Sequence, residues 1–175
     1  MRVRKHHGLV TQPGIDFDVY RGSKDSTIIE SKTHQDPLGG DQVLLKIRPR
    51  GLCGTDEHYR SADQVLGHEG AGIVQELGPE VCHLKKKNSH IVPIAFTTTN
   101  QNCVIRGDRV GFGYLHDSCG RCEQCLTGRE TFCAERVMYG MGDFDIGSFA
   151  SHAIWREAYL LKFPDSIPNE YAVAV

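Results

Sequence analysis

Three cysteines stand in the run Cys119-Gly-Arg-Cys122-Glu-Gln-Cys125, and Cys133 follows after seven more residues. Thiolates at two-residue spacing on a tight, glycine-bearing loop can converge on one tetrahedral ion, and four sulfur ligands leave no open coordination position. Such a site staples a lobe and does not catalyse. The competing chemistry is an iron–sulfur cluster, because a ferredoxin run also begins Cys-x2-Cys-x2-Cys before its fourth cysteine and a proline. Here Arg129 stands at that fourth position, no Cys-Pro pair exists, and Cys53, Cys82 and Cys103 are too scattered to complete another cluster. Zinc is the favoured ion.

A second group of reactive side chains lies upstream. Gly51-Leu-Cys-Gly-Thr-Asp-Glu-His-Tyr59 puts a thiol, a hydroxyl, a carboxylate and an imidazole within one short segment, and Gly67-His-Glu-Gly-Ala-Gly72 follows. Taken singly, Cys53 reads as an inert buried thiol and His68 as a hydrogen-bonded turn residue. Glu69 is not the glutamate of a zinc-protease helix, because that motif needs a second histidine where Gly72 stands. His6, His7, His34, His83, His90, His116 and His152 match no motif, and surface or loop roles are the default for them.

Together with the four-cysteine loop and the later Gly107-Asp-Arg-Val110, these segments resemble the catalytic domain of the zinc-dependent alcohol dehydrogenases of the medium-chain dehydrogenase/reductase superfamily. The resemblance covers most of residues 41–82 and 107–164, in the family's order. It implies a mostly β fold, a GroES-like partly open β-barrel with a zinc-binding lobe at 115–135 held by Cys119, Cys122, Cys125 and Cys133. By the same resemblance Cys53 and His68 are ligands of an open, catalytic zinc, with Glu69 either a further ligand or a partner behind the ligands. Zinc of this kind acidifies an alcohol, which can then give up hydride. Thr55 matches the hydroxyl that hydrogen-bonds the alcohol, His58 the imidazole that passes the proton to solvent, and Asp56 the carboxylate that orients a zinc ligand.

The pattern also breaks. Hydride transfer in this family uses NAD or NADP held by a Rossmann domain, whose Gly-x-Gly-x-x-Gly fingerprint these 175 residues lack: Gly111-Phe-Gly and Gly140-Met-Gly reach no third glycine. The expectation is a catalytic half that is inactive alone, since lost positioning can be worth about 7 to 11 kcal/mol of barrier. The alternative is a truncated, non-catalytic zinc-binding module. The cysteine that usually completes the catalytic shell is missing too, so that site is expected to bind metal more weakly than the four-thiolate site. Cys53 and His68 are also closer in sequence than the family leads one to expect.

These residues need a scaffold that brings residues far apart in sequence together. Nineteen glycines punctuating short apolar stretches indicate strands and tight turns rather than long helices. Val43–Arg48, Ala71–Leu77, Arg109–Phe112, Phe149–Trp155 and Tyr159–Phe163 read as strands, and only the stretch from Thr55 to Arg60 favours a helix. The chain reads as one domain over 1–175, with residues 1–17 an N-terminal extension and residues 85–106 an atypical insertion, read as a surface loop. The insertion is either a lineage-specific loop or a translated intron, which sequencing the mature transcript separates.

Composition narrows the partners. A net charge of -2 and one short basic run, Lys85 to Lys87, argue against nucleic acid. No stretch approaches a membrane span, and the N-terminus lacks an apolar signal core. An odd count of seven cysteines argues against full disulfide pairing, so a reducing, cytoplasmic setting is expected. The implied partner is a small-molecule alcohol or aldehyde, and a homo-oligomer is compatible with the chain.

Overall fold

The computed structural model describes residues 13–81 and 104–173. Its first element is a hairpin of β1 (Ile15–Arg21) and β2 (Ile29–Gln35), paired antiparallel. In β1 the alternation Ile-Asp-Phe-Asp-Val-Tyr-Arg turns Phe17 and Val19 inward, where both are buried, and leaves Asp16 and Asp18 in solvent. The extension drawn at 1–17 therefore overlaps the fold at its end, because Ile15 to Phe17 belong to this hairpin.

The main sheet is antiparallel and runs β8-β3-β4-β5-β9. Its strands are β3 (Gln42–Arg50), β4 (Gly70–Leu77), β5 (Arg109–Phe112), β8 (His152–Arg156) and β9 (Leu161–Lys162). With β8 and β9 as its two edges it stays open, as a partly open barrel requires. Inward side chains of β3, β4 and β5, among them Val43, Leu45, Val74 and Val110, form one core with Phe17 and Val19 of the hairpin. Trp155 closes it: its ring lies 4.3 Å from that of Phe112, and its indole N–H donates to the Leu115 carbonyl at 3.1 Å.

A smaller ribbon of β6 (Leu115–Asp117) and β7 (Val137–Met138) carries the cysteine-rich lobe, which also holds α2 (Glu123–Leu126). The helical stretch anticipated from Thr55 to Arg60 divides into α1 (Gly54–His58) and a 3-10 turn over Tyr59–Ser61. Two anticipated strands are shorter than the apolar pattern suggests. Phe149 to Ser151 bond mainly to the hairpin, with Tyr20 N–H donating to the Phe149 carbonyl and Ser151 N–H to the Asp18 carbonyl, both at 2.8 Å, while the Ser151 carbonyl accepts the Ile47 N–H of β3 at 3.1 Å. Glu157–Tyr159 winds into a 3-10 turn, which leaves only Leu161–Lys162 to pair.

Most of the insertion placed at 85–106 lies outside the described residues. Of its described residues, Val104 is buried in the core and its N–H donates to Glu157 Oε1 at 3.1 Å, while Ile105 and Arg106 are exposed. Among the described residues, no helix is long and apolar enough to cross a membrane.

Candidate metal centres

The end of the β3–β4 ladder builds the first centre. Pro49 has no N–H to give the ladder, and the register shifts between Ile47 and Arg50 before pairing resumes at Arg50 and Gly70. Gly51 N–H then donates to the Glu69 carbonyl at 3.0 Å. Segments some fifteen residues apart in sequence, one carrying Cys53 and the other His68 and Glu69, are thus held side by side.

Cys53 caps α1. Its sulfur accepts the Thr55 N–H at 3.3 Å, and its own N–H donates to Asp56 Oδ2 at 2.9 Å. Asp56 is only 3% exposed, and its other oxygen accepts the Gly67 N–H at 3.0 Å. Gly67 has φ +87°, and a Cβ there would lie 2.1 Å from Ser148 Oγ, so this position admits only glycine.

His68 follows directly. Its Nε2 lies 3.7 Å from Cys53 Sγ and 3.5 Å from Glu69 Oε1, while Nδ1 lies 3.9 Å from Asp56 Oδ1. One ligand atom from each of Cys53, His68 and Glu69 falls within 4.8 Å of the others. Metal bonds of about 2.0 to 2.3 Å separate neighbouring tetrahedral ligands by about 3.3 to 3.8 Å. The separations from His68 Nε2 to the sulfur and to the carboxylate oxygen both fall in that range, so the three donors could hold one ion. Thr55 is half-buried and His58 exposed, three residues apart on α1 and so on one face of it.

Three tyrosines wall this centre, and nothing in the sequence singled them out, because aromatic residues at irregular spacing carry no periodic signal. The His68 ring lies 5.1 Å from that of Tyr114 and 5.3 Å from that of Tyr139, and Tyr59 packs edge-on to Tyr139 at 5.2 Å. Burial pushes the Tyr139 hydroxyl up to about 12. Burial and the neighbouring Tyr59 hydroxyl raise Tyr114 as well. Tyr114 and Tyr139 therefore stay uncharged beside the ligands at neutral pH. The centre opens on a cleft of about 460 Å³ lined by His68, Glu69, Phe112, Tyr114, Leu161 and Phe163, among others.

The second centre lies in the lobe. Gly120, at φ +68°, turns the loop between Cys119 and Cys122, which precedes the first turn of α2. A 3-10 turn at Glu130–Phe132 then returns the chain to Cys133, the most buried of the four. Neighbouring sulfurs lie 3.9 Å (Cys119 to Cys125), 3.5 Å (Cys122 to Cys125) and 3.6 Å (Cys119 to Cys133) apart. Those separations are far beyond a disulfide bond of about 2.05 Å. They match the edge of about 3.8 Å expected for a zinc–tetrathiolate tetrahedron. Backbone N–H groups of Arg121 and Cys122 draw the Cys119 thiol down to about 6, while Cys122, packed against the other sulfurs, goes up to about 11.

The histidines without a motif divide. His34 pairs at the surface with Asp16 at 2.7 Å. His116 departs from the surface role expected of it: it is buried against Trp155 at 4.2 Å, and burial pushes it down to about 4.

Fold and donor sets together define a mostly β domain with two places for a metal, one closed by four sulfurs and one opening on a cleft. Residues 39–165 match the model of the alcohol dehydrogenase GroES-like domain, and the chain belongs to that family. It is 33% identical over 142 residues to an alcohol dehydrogenase from Geobacillus stearothermophilus, an alignment covering 77% of this chain and 36% of that protein. To an alcohol dehydrogenase from Schizosaccharomyces pombe it is 32% identical over 145 residues, covering 78% of this chain and 35% of the relative. The chain thus spans about a third of the length of these relatives. In fold it is similar to CAD from Helicobacter pylori, solved with NADP(H), at a TM-score of 0.71 and 22% identity, covering 91% of this chain and 45% of that one. A cinnamyl alcohol dehydrogenase from Sorghum bicolor gives a TM-score of 0.68 at 24% identity, covering 90% and 43%.

Proposed function

We propose that this chain is the metal-holding, substrate-activating part of an alcohol dehydrogenase, which oxidises a small-molecule alcohol to an aldehyde or ketone once joined to a nucleotide-binding domain. The observation that carries the reading is the convergence of Cys53 Sγ, His68 Nε2 and a Glu69 oxygen within 4.8 Å at the mouth of a cleft. Zinc held there would supply Lewis-acid activation of the alcohol, and NAD or NADP, bound outside the described residues, would accept the hydride.

The chain's own side chains divide the remaining work. Cys53, His68 and Glu69 would offer one ligand atom each, His68 and Glu69 from the lining of the cleft. Asp56 orients His68 from behind and holds the Cys53 and Gly67 backbones in place. Thr55 and His58, on one face of α1, form the path by which the alcohol proton leaves: the Thr55 hydroxyl takes it and the exposed His58 ring passes it to solvent. Tyr114 and Tyr139 exclude water from the flank of His68 without adding charge. Cys119, Cys122, Cys125 and Cys133 would hold a second zinc, which would staple the lobe.

Elemental analysis of the purified chain, wild type beside Cys53→Ser and Cys122→Ser, tests both metal assignments. Two zinc equivalents in the wild type and one in each variant is the expected outcome. One equivalent that survives Cys53→Ser would leave a non-catalytic zinc module, and no zinc at all would overturn the reading.

A further inference from the structure

The lobe carries a polar group that the four-thiolate assignment does not use. Ser118, only 4% exposed, places its Oγ 3.1 Å from Cys125 Sγ and 2.5 Å from the Tyr159 hydroxyl. A thiolate that ligates a metal has no proton to donate, so the bond must run from the Ser118 O–H to Cys125 Sγ. The serine oxygen is then left to accept from the Tyr159 O–H, and every proton in the chain Tyr159–Ser118–Cys125 points toward the sulfur.

The far end of this chain is anchored in the main fold. Tyr159 ends the 3-10 turn after β8, and the Arg156 guanidinium lies 6.0 Å from the centre of its ring. The same guanidinium donates to Asp41 Oδ1 at 2.9 Å, next to the start of β3, and to the Ser118 carbonyl at 3.2 Å, and it also meets the Asp117 carboxylate. Ser118 is thus clamped by its backbone and by its hydroxyl.

We infer that Ser118, held by Tyr159, is a positioning residue for the lobe's metal: it delivers a hydrogen bond to the Cys125 thiolate that slows metal release and couples the lobe to the β8–β9 connection. A donor aimed at a ligating sulfur withdraws electron density from it and fixes its rotamer, and removal of such outer partners typically weakens metal binding about 10- to 100-fold. The inference rests on the four-thiolate reading above.

The test uses the whole chain loaded with cobalt(II), whose thiolate charge-transfer bands report sulfur donation, together with the rate of zinc transfer to a chromogenic chelator. In Ser118→Ala the charge-transfer band of the four-sulfur site shifts and zinc leaves about ten times faster. Tyr159→Phe, which keeps the serine hydroxyl but not its anchor, gives a smaller change of the same sign, and Ser118→Thr restores wild-type behaviour. A serine that served only packing would lower thermal stability without moving the band. Identical bands and release rates in wild type and Ser118→Ala would overturn the inference while leaving the metal site standing. Wild-type protein without thiolate bands would overturn both.

Discussion

Asp56 Oδ1 accepts a hydrogen bond from the Gly67 backbone N–H at 3.0 Å, across eleven residues of chain. The other oxygen of the same carboxylate accepts from Cys53 N–H, so one buried anion sets the distance between the two segments that present Cys53 and His68. Two backbone N–H groups donate to it, and the His68 ring lies beside it with Nδ1 3.9 Å from Oδ1.

In Asp56→Asn the amide NH2 must face one of the two backbone donors. A loss of about 1 to 3 kcal/mol in stability is expected from the unpaired group. Metal binding at Cys53, His68 and Glu69 should weaken about 10- to 100-fold while the four-thiolate site keeps its ion. Isothermal titration of zinc into the metal-free protein, fitted to two sites, separates the two effects.

Gly67→Ala tests the backbone conformation itself. With φ at +87° and Ser148 Oγ 2.1 Å from where the new Cβ would lie, the substitution brings both strain and a clash. A destabilisation of about 3 kcal/mol is expected, read by chemical denaturation.

His116 gives the fold an acid-sensitive component. The folded chain holds this ring at about 4, below the ordinary imidazole value, because burial against Trp155 disfavours its charge. As pH falls below about 6.5 the unfolded chain takes up a proton that the folded chain refuses. Stability therefore declines from there down to the folded value and levels off beneath it. The difference is about 3 kcal/mol. His116→Phe should show a flatter stability profile across that window, measured by denaturant titrations at stepped pH.

Arg156→Met removes the bridge from Asp41 to Asp117 and Ser118 while keeping much of the side chain's bulk. About 1 to 3 kcal/mol should be lost. Amide hydrogen exchange should rise in residues 115–135 before it rises in the main sheet, because the lobe is what the bridge restrains.

The sequence carried its clearest information where chemistry constrains spacing. Cysteines two residues apart can reach one ion only by converging, so Cys119, Cys122, Cys125 and Cys133 were legible as one site before any folding was considered, and their sulfurs do converge. The apolar runs marked β3, β4 and β5 to within two residues at either end, because buried strand positions are written directly in residue type. The strands expected from sequence leave out the hairpin, although its alternation buries Phe17 and Val19.

What the residue order alone determined about this protein is therefore its local chemistry and its alternation of buried and exposed positions. The three-dimensional fold decided what depends on contact between distant segments: the meeting of Cys53 with His68, the tyrosine walls, the burial of His116 and Val104, and the clasp of Ser118 by Tyr159. The reason is physical. A local spacing restricts geometry through covalent bonds a few residues long, whereas these contacts arise from sheet register and side-chain packing, which no short stretch of sequence specifies.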